Sequence, residues 1–343
     1  MTDIHIRIEG LAGRITLNRP AALNALTYEM CTAIEDAIDA WAADDSVALV
    51  LFDAAGDKAF CAGGDIAELY ATGTKGDFAY GRSFWSDEYR LNAKLFEYPK
   101  PVVSLMQGFT MGGGVGLGCH GSHRVVGESS QIAMPECGIG LVPDVGGSLM
   151  LALAPGRLGE YLGVTGARMG PADAIYAGFA DHYIPQDAWQ ELTTQLVETG
   201  KADLLKDFDT TPPSGSLAAQ QPQIDLLFDG EALGDIHNTL RADAGQVAAD
   251  ALKALSRVSP LSAACTIEIV HRLRTSSLTI RKALEMEYRF AYRAMEHGDF
   301  LEGIRAQIID KDRTPHWQFA DGTVPTSAVS AMLQPLGPDT LTF

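Results

Sequence analysis

The spacing of apolar and polar positions changes character twice along this chain. "HIRIEG" (5–10) and "GRITLN" (13–18) alternate and predict a hairpin pair of strands. "TYEMCTAIEDAIDAWAAD" (27–44) has helical spacing, with Thr27 as its N-cap and acidic residues early in the helix. "VALVLFDAA" (47–55) and "PVVSLMQG" (101–108) are continuous apolar runs and predict buried strands. Strand, helix and strand at this spacing predict repeated ββα units around a buried sheet. After about residue 200 the texture shifts. "DFDTTPPSGSLAAQQPQ" (207–223) is rich in Pro, Ser and Gln and predicts an exposed linker. "QVAADALKALSRV", "SPLSAACTIEIVHRLRT" and "LTIRKALEMEYRFAYRAME" then follow as helical patterns almost without strand signal. The expected organisation is an α/β core over 1–205, a linker over 206–223 and a helical region over 224–343.

Charge and cysteine usage narrow the function classes. The formal net charge of -18 over 343 residues argues against a nucleic-acid partner, which would need clustered Lys and Arg. A small anionic ligand is still allowed, because local donors can oppose the global field. The five cysteines are scattered, without CxxC spacing, and read as reduced thiols of a cytoplasmic protein with no zinc or other metal site. Cys61, Cys119 and Cys137 read as small apolar fillers. "MTDIHIRIEG" has no signal-peptide pattern and no run reaches the length of a membrane span, so no membrane association is expected. The histidines of "HGSH" (120–123) read as surface or loop residues, and no GxSxG serine elbow occurs.

Three segments carry candidate chemistry. "AFCAGGDIAELY" (59–70) and "GFTMGGGVGLGCHG" (108–121) each set glycines immediately ahead of a helical pattern. Glycine lets a ligand approach backbone amides, and a helix start adds unpaired N–H groups. One amide from each could converge on a developing oxyanion. The third segment, "AMPECGIGLVPDVGGS" (133–148), places Glu136 and Asp144 among glycines, prolines and aliphatic residues, with no Lys or Arg. An ionised carboxylate in apolar surroundings shifts its pKa or finds a partner. Eight residues of helix would separate the two by about 12 Å along its axis, and eight of strand by about twice that. Gly138, Gly140 and Pro143 disfavour both paths.

"AFCAGGDI", "GFTMGGGVGL" and "MPECGIGLVPDVGGS" resemble the signature segments of the crotonase (enoyl-CoA hydratase/isomerase) superfamily. "EYRLN" (88–92), "SPLS" (259–262), "LEMEYRFAYRAM" (284–295) and "IDKDRTPHW" (309–317) extend the likeness over nearly the whole chain, and are most like its 3-hydroxyisobutyryl-CoA hydrolase subgroup. The resemblance implies an α/β fold, a crotonase-like spiral of ββα turns followed by an α-helical C-terminal region. It implies an acyl-CoA substrate, whose coenzyme A is part of the substrate, with no separate cofactor. It assigns oxyanion-hole amides to Gly64 and Gly113, catalytic carboxylates to Glu136 and Asp144, and a substrate contact to Glu88. Without it, Glu88 reads as an exposed helix charge, Asp65 as a helix-start residue stabilised by the dipole, and the aromatics of 288–292 as core.

Two departures matter. Gly116 stands where hydratases keep their first catalytic glutamate, and Ala21 where relatives often have a lysine for the coenzyme phosphates; Arg19 or a C-terminal basic residue would have to replace it. The implied activity is therefore hydrolysis of short branched 3-hydroxyacyl-CoA thioesters, 3-hydroxyisobutyryl-CoA in valine breakdown. An enoyl-CoA hydratase or isomerase and a non-catalytic acyl-CoA-binding protein are the alternatives. Trimers are common in the superfamily, so a homo-oligomer is an expectation that the long C-terminal region, able to cover that surface, leaves open.

Overall fold

The computed structural model describes residues 2–343. The chain divides into two compact units, each assembled from three separate stretches. The first unit takes the stretch ending at Asp65, then Arg90–Ala133 and Arg168–Ser216; the second takes Ile66–Tyr89, Met134–Ala167 and Leu217–Phe343.

All strands lie in the first unit. β1 (Ile4–Glu9) and β2 (Ala12–Leu17) form the expected hairpin, paired from Ile4↔Leu17 to Glu9↔Ala12, with Gly10 at φ +55° in the two-residue turn. β3 (Leu49–Ala54), β5 (Val102–Met106), β7 (His123–Val126) and β9 (His182–Tyr183) add in parallel, giving a six-stranded sheet ordered β1-β2-β3-β5-β7-β9. β4 (Ala59–Cys61), β6 (Phe109–Met111) and β8 (Gln131–Ala133) form a second, parallel sheet. From β3 onward successive strands alternate between the two sheets, one pair per turn of a spiral. This is the ββα spiral that the resemblance implied. β5 is buried at every position, which explains its unbroken apolar run. The helix Tyr28–Ala42 starts where the sequence places it: the Thr27 side chain accepts from the Met30 amide at 3.2 Å.

The second unit is helical. Its Pro260–Arg274 helix is buried almost all round, with Leu261, Cys265, Ile267, Ile269 and Val270 inside, and Ser259 caps its start. The units interleave along the chain, so 66–89 and 134–167 belong with the helices and not with the sheets. Composition along a sequence does not register such interleaving. Part of 206–223 is also helical: Leu217–Leu227 forms a helix with Pro222 inside it. Leu217, Ile224 and Leu227 are buried on one face of that helix, and their burial outweighs the one hydrogen bond that proline removes.

Glycine at 114 is dictated by packing. A Cβ there would lie 2.1 Å from the Cys61 carbonyl oxygen, so the helix Gly113–Gly118 approaches β4 at backbone contact. Gly114→Ala should lower stability by about 1–3 kcal/mol while the far-ultraviolet circular dichroism stays that of the parent. An unchanged melting temperature would contradict this packing.

Candidate active site

Glu136 opens a 3-10 turn, Glu136–Ile139, in the helical unit. The turn is held from several sides. The Cys137 carbonyl accepts from the Ser259 amide at 2.9 Å, and the Cys137 thiol lies 3.4 Å from the Gly163 carbonyl and 3.3 Å from the Thr266 hydroxyl. Gly140 closes the turn at φ +77°, where a Cβ would meet the Asp299 carbonyl carbon at 2.5 Å. No other residue fits there without displacing that backbone. The chain then reaches Asp144 and a second bend, with Val145 at φ +52° and Gly146 at φ +82°. A β-branched residue in the left-handed region is a strained conformation, on the order of 1–3 kcal/mol, that persists only where its surroundings hold it.

Glu136, Asp144 and Glu88 are each only 4% exposed. Glu88 is thus not the exposed helix charge that its own segment suggests; it lies on the buried side of the Ala79–Phe96 helix. Asp144 Oδ2 accepts from the Tyr89 hydroxyl at 2.7 Å. Glu136 Oε2 and Glu88 Oε1 are buried with no hydrogen-bond partner. A fourth acid, Glu287, is fully buried on the Ile280–His297 helix. It accepts from the amides of Gly146 (2.8 Å) and Ser148 (3.0 Å), and from the Ser148 hydroxyl.

Burial without cations sets the electrostatics. Burial, reinforced by the charge of Asp144, pushes Glu136 well above the usual carboxylate range. Asp144 itself is raised to about 7 by burial, against the opposing pull of the Tyr89 hydrogen bond. Burial and the Asp144 charge raise Glu88 to about 8; burial raises Glu287 to about 8, against its hydrogen bonds from Ser148 and Gly146. Glu160, in the same unit, shows what a cation changes. Its side chain is fully buried and burial pushes its pKa up, yet His271, Arg274 and Arg157 hold it below its ordinary value. Among the described residues the four site acids have no such partners. Asp144, Glu88 and Glu287, at about 7 to 8, lie near neutrality, where a carboxylic acid in an apolar setting can take and return protons.

The glycine segments lie in the first unit. Gly64 forms a parallel bridge with Leu26, whose bonds run from Leu26 N to Gly63 O and from Asp65 N to Leu26 O. That pattern turns the Gly64 amide away from the bridge. Gly113 begins the short Gly113–Gly118 helix behind Gly112 at φ +51°, so its N–H belongs to the open first turn. Both follow paired strands, each three residues beyond the Cys61↔Thr110 match of β4 and β6. Gly116 is buried inside that helix and brings no acid. Asp65 plays a different part from the one its segment suggests: it pairs with Arg19 at 3.0 Å, and the following helix starts at Ala67. Arg19 also reaches Asp3 and the Ala25 carbonyl, so its guanidinium is engaged within the protein.

The sequence reading missed Glu287 and Tyr89. A signal for Glu287 was present: it occupies the apolar stripe of its helix with Ala283, Leu284, Ala291 and Ala294, where a charge is out of place.

The two-sheet ββα spiral is the fold of a crotonase-type protein. The chain belongs to the enoyl-CoA hydratase/isomerase family, whose model matches residues 12–333. It is 37% identical over 327 residues to the mitochondrial 3-hydroxyisobutyryl-CoA hydrolase of Gallus gallus, covering 92% of this chain and 84% of that one. It is 36% identical to the Homo sapiens protein of the same name, covering 93% and 85%. Among solved structures, an enoyl-CoA hydratase from Rhodobacter sphaeroides is 55% identical over 100% of both chains, with a TM-score of 0.95. A carnitinyl-CoA dehydratase from Mycobacterium thermoresistibile is 42% identical over 100% of this chain and 99% of that one, with a TM-score of 0.94.

The raised carboxyls make stability depend on pH with a definite sign. Glu88 titrates at about 8 in the fold, against an ordinary value of 4.5, so its favourable contribution is complete below about pH 4.5 and is lost as pH rises through 8. Glu88→Gln removes that penalty. It should melt higher than the parent at pH 8, by several degrees, with the gap closing toward pH 5. A variant less stable than the parent at pH 8 would contradict the burial of a protonated Glu88.

Proposed function

We infer that this chain hydrolyses short branched 3-hydroxyacyl-CoA thioesters, with 3-hydroxyisobutyryl-CoA, an intermediate of valine breakdown, as the leading substrate. The observation that carries the reading is the buried pair Glu136 and Asp144, raised in pKa and without a cation, in a chain that has glycine at 116. The hydrolase relatives support it by name. Those relatives are named as mitochondrial, which does not fit the cytoplasmic expectation; the five buried free thiols suit a reducing compartment. No helix among the described residues is long and apolar enough to cross a membrane.

In the reaction, the amides of Gly64 and Gly113 receive the thioester oxygen as it gains negative charge. Glu136 either removes a proton from the attacking water or attacks the acyl carbon itself, forming an anhydride that water opens. Its partnerless Oε2 leaves it a free acceptor for either route. In the first route the C–S bond breaks and the proton that Glu136 took from water passes to the departing thiolate; in the second the thiolate leaves as the anhydride forms, and the water that opens the anhydride supplies the proton the thiolate takes up. Either way the products are the free acid and coenzyme A. Asp144, fixed by the Tyr89 hydroxyl, orients the water or binds the substrate's hydroxyl, and Glu88 contacts the acyl end. Water is the only co-reactant.

The hydratase reading has one specific observation in its favour, the name of the 55% identical structure. Substrate tests separate the two. 3-Hydroxyisobutyryl-CoA should release free thiol readily, while crotonyl-CoA should lose its conjugated absorbance only slowly. Faster hydration of crotonyl-CoA than thiol release would restore the hydratase. Glu136→Gln should lower kcat for thiol release by about 10²–10⁴-fold, with acyl-CoA binding, followed by calorimetry, changed only several-fold. Turnover within a few-fold of the parent would remove Glu136 from the chemistry.

A further inference from the structure

We propose that Glu287 is a positioning residue for Asp144, holding the turn Asp144–Ser148 in its one working conformation. The inference rests on the hydrolase reading above for the part Asp144 plays. Its basis is the arrangement of donors around one buried carboxylate. Glu287 Oε2 takes the Gly146 amide at 2.8 Å, and Oε1 takes the Ser148 amide at 3.0 Å together with the Ser148 hydroxyl. Both oxygens are therefore committed to one short stretch, two residues beyond Asp144 and onward. That stretch contains the left-handed Val145 and Gly146, and it is closed by the Gly147 amide donating to the Asp144 carbonyl at 2.7 Å. A strained bend of this kind keeps its shape only under external hold.

The same helix supports Asp144 a second time, through its side chain. Tyr288, the next residue, packs edge-on against Tyr89 with ring centroids 6.1 Å apart and planes at 77°. Tyr89 in turn donates to Asp144 Oδ2. Glu287 fixes the backbone of the Asp144 turn while Tyr288, by way of Tyr89, fixes its carboxyl.

Two other roles fit less well. A proton-transferring Glu287 would need to face substrate, and both its oxygens instead take donors from the Asp144–Ser148 turn. Simple capping of the Gly147–Leu153 helix would need only a short Ser, Thr, Asp or Asn side chain at its start. A fully buried glutamate reaching in from another helix exceeds that need.

The test is a double-mutant cycle on the full chain, measured as kcat and KM with whichever acyl-CoA the wild type processes. Glu287→Gln puts an amide NH₂ where a carboxyl oxygen accepts the Gly146 or the Ser148 amide, so one donor then faces another. It should lower kcat by about 30–100-fold, the scale of an ångström-level misplacement, with KM within about threefold. In an Asp144→Asn background the same change should add less than about threefold, because both substitutions then act on one step. Glu287→Asp, which keeps the carboxyl on a shorter stem, should recover part of kcat. Full multiplicative losses in the double variant, or a folded Glu287→Gln with kcat within about threefold of the parent, would overturn the proposal. Where Glu287→Gln does not fold, Ser148→Ala takes its place: it removes one donor and leaves both amides. Its kcat should fall about 3–10-fold at constant KM, again only when Asp144 is present. An undiminished kcat in folded Ser148→Ala protein would equally overturn it. The substrate panel judges the hydrolase reading by itself: if crotonyl-CoA hydration dominates, that reading fails, while the cycle still reports on Glu287.

Discussion

Four acids buried in one helical unit without a cation constrain the rest of the site. Transfer of an isolated ionised carboxylate into an apolar interior is prohibitive, so each acid must keep its proton or be given donors. The structure supplies donors unevenly. Glu287 has three and Asp144 has the Tyr89 phenol, while Glu136 and Glu88 each keep an oxygen without any. That gradient separates acids whose oxygens are taken up by protein donors from acids with an oxygen left without one. Glu160 shows the other solution within the same unit, three cationic or cation-forming partners, and it is accordingly a structural ion-pair centre.

Bringing Glu136 and Asp144 together is a backbone problem before it is a chemical one. Regular helix or strand would leave eight residues spread over about 12 to 24 Å. The chain instead uses a 3-10 turn, a left-handed Gly140, and a second left-handed pair at Val145 and Gly146. At Gly140 the Asp299 carbonyl leaves no room for a side chain. At Val145 the sequence accepts a strained residue, which makes the hydrogen bonds from Gly146 and Ser148 to Glu287 necessary and not merely available.

What the sequence made legible follows from which forces act locally. The β1–β2 hairpin, the Thr27 cap and the apolar strands β3 and β5 were readable because period and capping are local. Glu136 and Asp144 stood out as charges in an apolar, glycine-rich segment. Glu88 was legible only through family likeness, since "WSDEYRLNAKLFEY" does not by itself reveal which helix face is covered. Glu287 and Tyr89 went unread because their partners, Ser148 and Asp144, are more than fifty residues away. The helical character of 217–227 was hidden by Pro222, whose local penalty is outweighed by tertiary burial of Leu217, Ile224 and Leu227. The pairing of Arg19 with Asp65 is likewise a long-range contact that no local pattern announces.

The names carried by similar proteins pull toward two reactions, and the shared fold cannot choose between them. Hydration and thioester hydrolysis both place negative charge on the same thioester oxygen, so amides such as those of Gly64 and Gly113 serve either one. The choice lies in the acids. Hydration of an alkene asks for two proton-transferring groups, one for the water and one for the carbon that gains hydrogen. Gly116, which the resemblance puts at the hydratases' glutamate position, is buried in a six-residue helix of glycines and two aliphatic residues. The remaining acids all come from the helical unit, and two of them, Asp144 and Glu287, are already tied by protein donors. Hydrolysis asks for less: one acceptor for water's proton, able to return it to the departing thiolate, and one group to orient the water. In the hydrolysis proposed above, Glu136, raised in pKa and open at Oε2, is assigned the first part, and Asp144, held by Tyr89, the second.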